Sequence, residues 1–441
     1  MWNKGETFSF AHPEEYKIVG VAGSGAYAVV CKAEVIGSPA VAAASCYSVG
    51  SDAAASAEES PPFPSVVAIK KIEDFRSVDR TVSEQWETHY LRKVLREVEI
   101  LIHFQSVPQV IPLNELYLCD KGKDIYLVMP FYEHNLRDVI ERTPLTEDLV
   151  KWLVFQILLA IDVVHRCGVI HRDLTLGNVL VDSSSGEWEC RLADFGLSRA
   201  RETVDRDITL DVVTLPYRAP ELLLQYPEYS SKVDIWSLGC IMAELVLRRP
   251  FLYVQNKNPD PMRQLKLIFK SLTGFPDLAE VPDAASKSTA RWLVEWKAGL
   301  ELEGMTIPAA TDVGEFFKDT NGNPVLSPDG IDVLRRALVF SPHKRASAAE
   351  LLQMPWFSND PGLQEMLAER ARAPLPAQFT EYVEKMTVEE MVALLEQRVR
   401  GRKARLVSQV SPSVPEGATS PGAVVPPPPG EAVPPPGAAA T

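Results

Sequence analysis

The residues best suited to chemistry lie in two short stretches: His171-Arg172-Asp173-Leu174-Thr175-Leu176-Gly177-Asn178, and Asp194-Phe195-Gly196 sixteen residues after Asn178. They bring two carboxylates and a carboxamide into a set order. One carboxylate can orient a hydroxyl and take its proton. The other, with an amide oxygen, suits a hard cation such as Mg²⁺, which prefers oxygen ligands in an octahedral shell. Singly, Asp173 and Asp194 read as solvated loop acids and Asn178 as a turn residue. As an ordered set, separated by a stretch (Val179 to Leu192) that fits a short hairpin, they point to a site.

His-Arg-Asp with Asn five positions after the Asp, followed by Asp-Phe-Gly, resembles the catalytic loop and metal-binding turn of eukaryotic protein kinases. The resemblance implies an α+β, two-lobed kinase fold: a small β-rich lobe with one regulatory helix, and a larger, mainly helical lobe. It also implies phosphoryl transfer, in which a protein supplies positioning and neutralises charge on the phosphates. Asp173 then stands at the position of the base, and Asn178 and Asp194 at those of the Mg²⁺ ligands.

The elements that must position these groups are legible around them. Tyr16 to Ala33 alternates as two strands about a glycine turn, Gly23-Ser24-Gly25-Ala26-Tyr27-Ala28. It looks like the kinase glycine-rich loop with Ala28 in place of the third glycine; a plain hairpin is the other reading of two such glycines. Val66 to Ile72 is a β-branched run that resembles the kinase Val-Ala-Ile-Lys strand, so Lys70 would contact the α and β phosphates of ATP. Leu91, Val94, Leu95, Val98, Leu101 and Ile102 recur at helical spacing with Glu97 among them, which makes Glu97 the expected partner of Lys70. Asp124 to Met129 reads as a strand leading to Pro130-Phe131-Tyr132. By resemblance Met129 is the gatekeeper, the Pro130 carbonyl and Tyr132 N–H meet adenine, and Ala22, Val30, Ala68 and Leu180 complete the nucleotide site.

Thr146-Glu147-Asp148 is an N-cap with an acidic first turn, opening a buried helix that runs to His165. Thr209 to Glu221 looks like the activation segment of cyclin-dependent kinases, with Thr209 as the phosphosite and Arg96, Arg172 and Arg199 gathering its phosphate. The same resemblance has Asp234 bracing the catalytic loop and Arg345 pairing with Glu221. Residues from Phe251 to about Asn323 carry the extra segment of the group that includes cyclin-dependent and mitogen-activated kinases, with Gln264-Leu265 and Ile268-Phe269 on a helix.

The chain divides into residues 1–130 and 131–358 as the two lobes, a helical extension at 359–407, and a Pro/Ala-rich tail at 408–441. A low-complexity insertion at 35–65 interrupts the first lobe. With 441 residues and 46% hydrophobic content a large core is within reach. The formal net charge of -14 argues against a general nucleic-acid binder. The six cysteines show no paired spacing, in keeping with reduced thiols. The N-terminus lacks the apolar core of a signal peptide and no apolar run spans a membrane, so a nuclear or cytoplasmic protein is expected. The partners implied are a protein substrate, an upstream activating kinase and a cyclin-like activating subunit, with neither nucleic acid nor membrane. Met386 to Leu406 reads as an amphipathic helix ending in Arg398, Arg400, Arg402, Lys403 and Arg405. These arginines and lysine read as a solvated helix end, a nuclear signal or a site for an acidic partner.

Two departures from the family pattern bear on activity. Thr175 stands where serine/threonine kinases carry a γ-phosphate-contacting Lys, and Pro216 where the cyclin-dependent group has Trp. With Ala28, they motivate the competing reading of a pseudokinase scaffold. One lost transition-state charge contact costs roughly 1.5 to 4 kcal/mol, about ten- to a thousandfold in rate. Thr175→Lys is therefore expected to raise turnover by about tenfold or more, read as steady-state phosphate transfer.

Overall fold

The computed structural model describes residues 7–8, 16–24, 28–36, 65–72, 84–118, 124–183, 186–200, 215–226, 229–253, 260–274, 287–302 and 309–409. Gly25, Ala26, Tyr27, Thr209, nearly all of the Ala-rich insertion and the Pro/Ala-rich tail lie outside them. The strands are β1 (Thr7–Phe8), β2 (Tyr16–Ser24), β3 (Ala28–Val35), β4 (Val66–Ile72), β5 (Glu115–Leu118), β6 (Ile125–Pro130), β7 (His134–Asn135), β8 (Val169–Ile170), β9 (Val179–Asp182), β10 (Glu189–Leu192) and β11 (Arg199–Ala200). The helices are α1 (Glu84–His103), α2 (Leu136–Arg142), α3 (Glu147–Arg166), α4 (Pro220–Leu223), α5 (Lys232–Leu247), α6 (Pro261–Ile268), α7 (Lys287–Leu302), α8 (Pro328–Ala337), α9 (Ala348–Leu352), α10 (Pro355–Ser358), α11 (Pro361–Arg372) and α12 (Val388–Gln409).

Six strands form one antiparallel sheet in the order β1-β2-β3-β4-β6-β5. Alternation of side chains along a strand decides its two faces. Tyr16, Ile18, Cys31, Ala33, Val67, Ile69, Tyr117, Tyr126 and Val128 make a small core on one face. Ile72, Leu116, Ile125, Leu127 and Met129 join the large core that runs through α1 into the helical lobe. This is the α+β, two-lobed architecture expected, with the β-rich and helical parts segregated along the chain.

In the helical lobe, Thr146 caps α3 by accepting the Leu149 N–H at 3.2 Å. The helix is buried from Leu153 to Ile161, which explains its apolar run. Beyond it, β9 and β10 form the expected hairpin before Asp194, with Leu180 opposite Arg191. Gln264, Leu265 and Ile268 lie buried on α6, and Phe269 begins a π-helical turn. Glu221 and Arg345, both buried, meet at 2.7 and 3.0 Å in the bidentate form that a planar guanidinium allows.

The C-terminal extension changes the surroundings of α1. The apolar spacing on α1 gives the face that packs on the sheet, yet Arg96, Glu97 and Glu99 are buried too. Glu97 turns into the cleft toward Lys70, whereas Arg96 and Glu99 are enclosed by the extension: Arg96 by Glu381 and Glu384, and Glu99 by α12, whose buried Met391, Leu395 and Val399 follow one another at four-residue steps and whose length packs across α1 and β5. Between α11 and α12 the chain passes the C-terminal end of α3: the Phe379 N–H donates to the Cys167 carbonyl at 2.8 Å. Gln378 packs so closely at Gly168, whose φ is +82°, that a Cβ there would lie 3.0 Å from Gln378 Oε1. A side chain at that position would be both strained and crowded.

His103, in the last turn of α1, meets the Ala377 carbonyl through Nε2 at 3.0 Å and lies edge-on to Phe379. Burial pushes its pKa below the ordinary 6.5, against a smaller opposing pull from that carbonyl and from Glu99. The unfolded chain thus binds this proton more readily than the folded one, so the stability tied to neutral His103 is complete above 6.5 and is lost as pH falls below it. Between about pH 7.5 and about pH 5.5 the denaturation midpoint is expected to fall, and His103→Gln to flatten that fall, in urea titrations of the two proteins.

Candidate active site

Lys70 lies on β4 between Val30 on β3 and Leu127 on β6, with Ala68 and Met129 opposite one another two residues along the ladder. The register sends the Lys70 side chain to the sheet face that meets α1. Its Nζ lies 2.6 Å from Glu97 Oε1 and 3.1 Å from Asp194 Oδ1. Burial works against the ammonium, but Asp194 and Glu97 outweigh it and hold the pKa of Lys70 above its ordinary value. Lys70 in turn depresses that of Asp194 against the opposing effect of burial. Glu97, 5% exposed, is pushed up by desolvation and drawn down by Lys70.

The residues of the 171–178 loop are gathered from the opposite lobe. The Asn178 side-chain amide donates to the Asp173 carbonyl at 2.8 Å and to Asp173 Oδ2 at 3.0 Å. That orientation commits the nitrogen to Asp173 and leaves the carboxamide oxygen as the group for a cation. Asp194 and Asn178 thus offer oxygen donors, and the described residues hold no cluster of three or more His, Cys, Asp or Glu that would cage a metal alone. Such a pair fits Mg²⁺, which completes its shell with phosphate oxygens and water.

The backbone here is strained. Arg172 has φ +70° and Asp194 φ +62°, a region that costs a non-glycine residue about 1–3 kcal/mol. Asp234, fully buried on α5, accepts the N–H groups of His171 at 2.9 Å and Arg172 at 2.8 Å and meets His165 at 2.7 Å. Burial would raise the pKa of Asp234, but the His165 contact and the backbone donors draw it below the usual carboxylate value. Phe195, fully buried, packs on His171 with ring centroids 4.8 Å apart and on Phe104 of the segment after α1 at 6.4 Å. The turn that carries Asp194 is thereby locked from below.

The remaining sequence-selected positions separate into those at the cleft and those elsewhere. Ala22 and Gly23 are exposed on β2, Ser24 ends that strand, and Ala28 opens β3 opposite Ile72. Pro130 ends β6 opposite Val67, Tyr132 follows it, and Leu180 packs against the core that holds Met129. Thr175 is 4% exposed, with its carbonyl accepting the Asn178 N–H at 3.1 Å. Arg172 stacks over the Tyr229 ring at 5.1 Å. Arg96 and Arg199 do come together, but around acids that the sequence reading did not single out: Glu381 and Glu384 of the extension. Arg398 is likewise bound within the chain, to Glu99 at 2.6 and 2.8 Å, rather than forming a solvated helix end. Only the pairing of Glu with Arg types could have hinted at these contacts, and it does not say which acid meets which arginine.

A protein kinase domain family model matches residues 63–357. The chain is 34% identical over 275 residues to Cyclin-dependent kinase G-1 of Oryza sativa subsp. indica, a match covering 60% of this chain and 36% of that protein. It is 31% identical over 367 residues to Mitogen-activated protein kinase KSS1 of Saccharomyces cerevisiae, covering 80% and 84%. It is 26% identical over 401 residues to Extracellular signal-regulated kinase 1 of Candida albicans, covering 89% and 85%.

Replacing Asp234 by Ala would strand the His171 and Arg172 N–H groups in a buried place, at about 1–3 kcal/mol each. Asp234→Ala is therefore expected to lower unfolding free energy by about 2 kcal/mol or more, measured by urea denaturation.

Proposed function

The chain belongs to the protein kinase family, and from that premise we propose that it is an ATP- and Mg²⁺-dependent serine/threonine kinase acting on protein substrates. The observation that supports this most directly is Lys70 bridged to Glu97 at 2.6 Å and to Asp194 at 3.1 Å, while Asp173 is held by Asn178 in the facing loop. In this reading Lys70 meets the α and β phosphates. Asp173 accepts the proton of the substrate hydroxyl as its oxygen bonds to the γ-phosphorus and the bond to the bridging oxygen of ADP breaks. Mg²⁺, when bound by Asp194 and Asn178, supplies charge neutralisation at the phosphates. Ala68, Met129, the Pro130 carbonyl and the Tyr132 N–H form the adenine side, with Val30 and Leu180 above and below it.

Within the family, similarity to a cyclin-dependent kinase and to mitogen-activated kinases supports membership of the group that contains both. Pro216 in place of Trp bears on substrate choice, since it stands beside the pocket for the residue after the phosphoacceptor. A nuclear or cytoplasmic location belongs to the same reading; no described helix is long and apolar enough to cross a membrane. The competing reading is a scaffold with little or no turnover, favoured by the buried Thr175 and by the lack of a basic residue between Asp173 and Asn178. Against it stand Lys70, Asp173 and Asp194, all retained.

Transfer of labelled phosphate to a degenerate peptide library separates the two. Asp173→Asn and Lys70→Met are each expected to lower the rate by about a hundredfold or more relative to the natural sequence. A natural protein no faster than Asp173→Asn, on every peptide and protein offered, would leave the scaffold reading standing.

A further inference from the structure

The arginines of α1 and β11 already hold a dianion's worth of charge. Arg96 is 1% exposed, and its guanidinium donates through Nε to Glu381 Oε1 and through Nη2 to Glu384 Oε1 at 2.5 Å. The other Glu381 oxygen accepts the Ala200 N–H at 2.9 Å. Glu384 lies 3.6 Å from Arg199 and 4.0 Å from Arg92. Two carboxylates from one short segment therefore tie α1 to β11, the strand that follows the Asp194 turn. Their combined formal charge matches the roughly -2 of a phosphate monoester, and they bring four acceptor oxygens where a phosphate brings three.

The rest of the extension holds that pair in place. The Tyr382 hydroxyl, next to Glu381, donates to Glu99 at 2.6 Å, and Arg398 of α12 grips the same Glu99. His103 meets the Ala377 carbonyl just before the glutamates, while Met391 and Leu395 are buried just after them. A segment tethered on both sides faces Arg96 at a high effective concentration. A buried guanidinium needs such a partner, and any phosphate approaching Arg96 must first displace two carboxylates of like charge.

We propose that Glu381 and Glu384 are a built-in replacement for an activation-segment phosphate, seated on Arg96 and Arg199. They hold α1 with Glu97 on Lys70 whether or not Thr209 is phosphorylated. The same segment covers the outer face of α1, so an activating subunit binding there would have to lift it off. The regulatory meaning rests on the kinase reading above; the physical coupling does not.

The test uses the full chain as the natural sequence, both free of phosphate on Thr209 and phosphorylated there, and, free of that phosphate, as Thr209→Ala, Glu384→Gln and Glu381→Gln/Glu384→Gln. Amide hydrogen exchange in Glu84–His103 and phosphate transfer to protein substrate are the two readouts. The double Gln variant is expected to exchange about tenfold or more faster across α1, with half-exposed Glu384→Gln intermediate, since each change removes charge-assisted bonds while keeping side-chain shape. Thr209→Ala and the natural protein free of phosphate on Thr209 are each expected to transfer phosphate within about twofold of the natural protein phosphorylated there, and the double Gln variant about tenfold or more slowly. Unchanged α1 exchange in both Gln variants would overturn the proposal, as would a Thr209→Ala rate as low as that of Asp173→Asn. If the natural protein transfers phosphate only when phosphorylated on Thr209, the proposal is overturned; if it transfers none in either form, the enzymatic reading fails while the exchange measurement still judges the coupling, and should the double variant not fold, Glu384→Gln alone decides it.

Discussion

The arrangement of the whole chain turns on one ammonium held between two carboxylates. Lys70 belongs to the sheet, Glu97 to α1 and Asp194 to the turn after β10, so their contacts at 2.6 and 3.1 Å join three elements that share no local sequence. The Lys70 side chain is only 14% exposed, and a charge so enclosed persists because its partners are near. Removing one member of such a pair leaves an uncompensated charge, at a cost of about 3–5 kcal/mol. The position of α1 and the shape of the Asp194 turn are thus linked: moving either strands Lys70.

The facing loop answers a different constraint. Arg172 and Asp194 sit in left-handed backbone conformations that side chains disfavour, and neighbouring groups hold both. Asp234 receives two successive N–H groups from the catalytic loop, and buried Phe195 anchors the turn beside Asp194. Asp173 and Asn178, hydrogen-bonded to each other, inherit that rigidity. The strain and its restraint lie where positioning a carboxylate matters most to phosphoryl transfer.

α1 joins these parts to a third one. A helix with apolar positions at helical spacing ordinarily offers its polar face to water. Here the extension encloses that face, and the acids and arginines on it become internal ion pairs: Arg96 with Glu381 and Glu384, Glu99 with Arg398. Glu97, Arg96 and Glu99 fall within four residues of one helix yet point to three destinations: the cleft, the β11 side and α12. A shift of α1 would disturb all three at once.

Much of this is written in short-range pattern. The set of Lys70, Glu97, Asp173, Asn178 and Asp194 was legible through its resemblance to kinase motifs; the apolar steps of α1, the Thr146 cap and the hairpin before Asp194 followed from periodicity and capping chemistry. Those features are local, because a strand, a helix or a cap is decided within a few residues. The partner of Arg96 is 285 residues away, that of Arg398 is 299, and no periodicity marks which glutamate will meet which arginine. Nor does the residue type reveal the positive φ of Arg172 and Asp194, which the surrounding bonds impose. Chemistry and element boundaries were therefore set by the sequence itself, whereas the choice of ion-pair partners around α1 was left to the tertiary fold, since charge attracts without a period and only packing brings distant segments within reach.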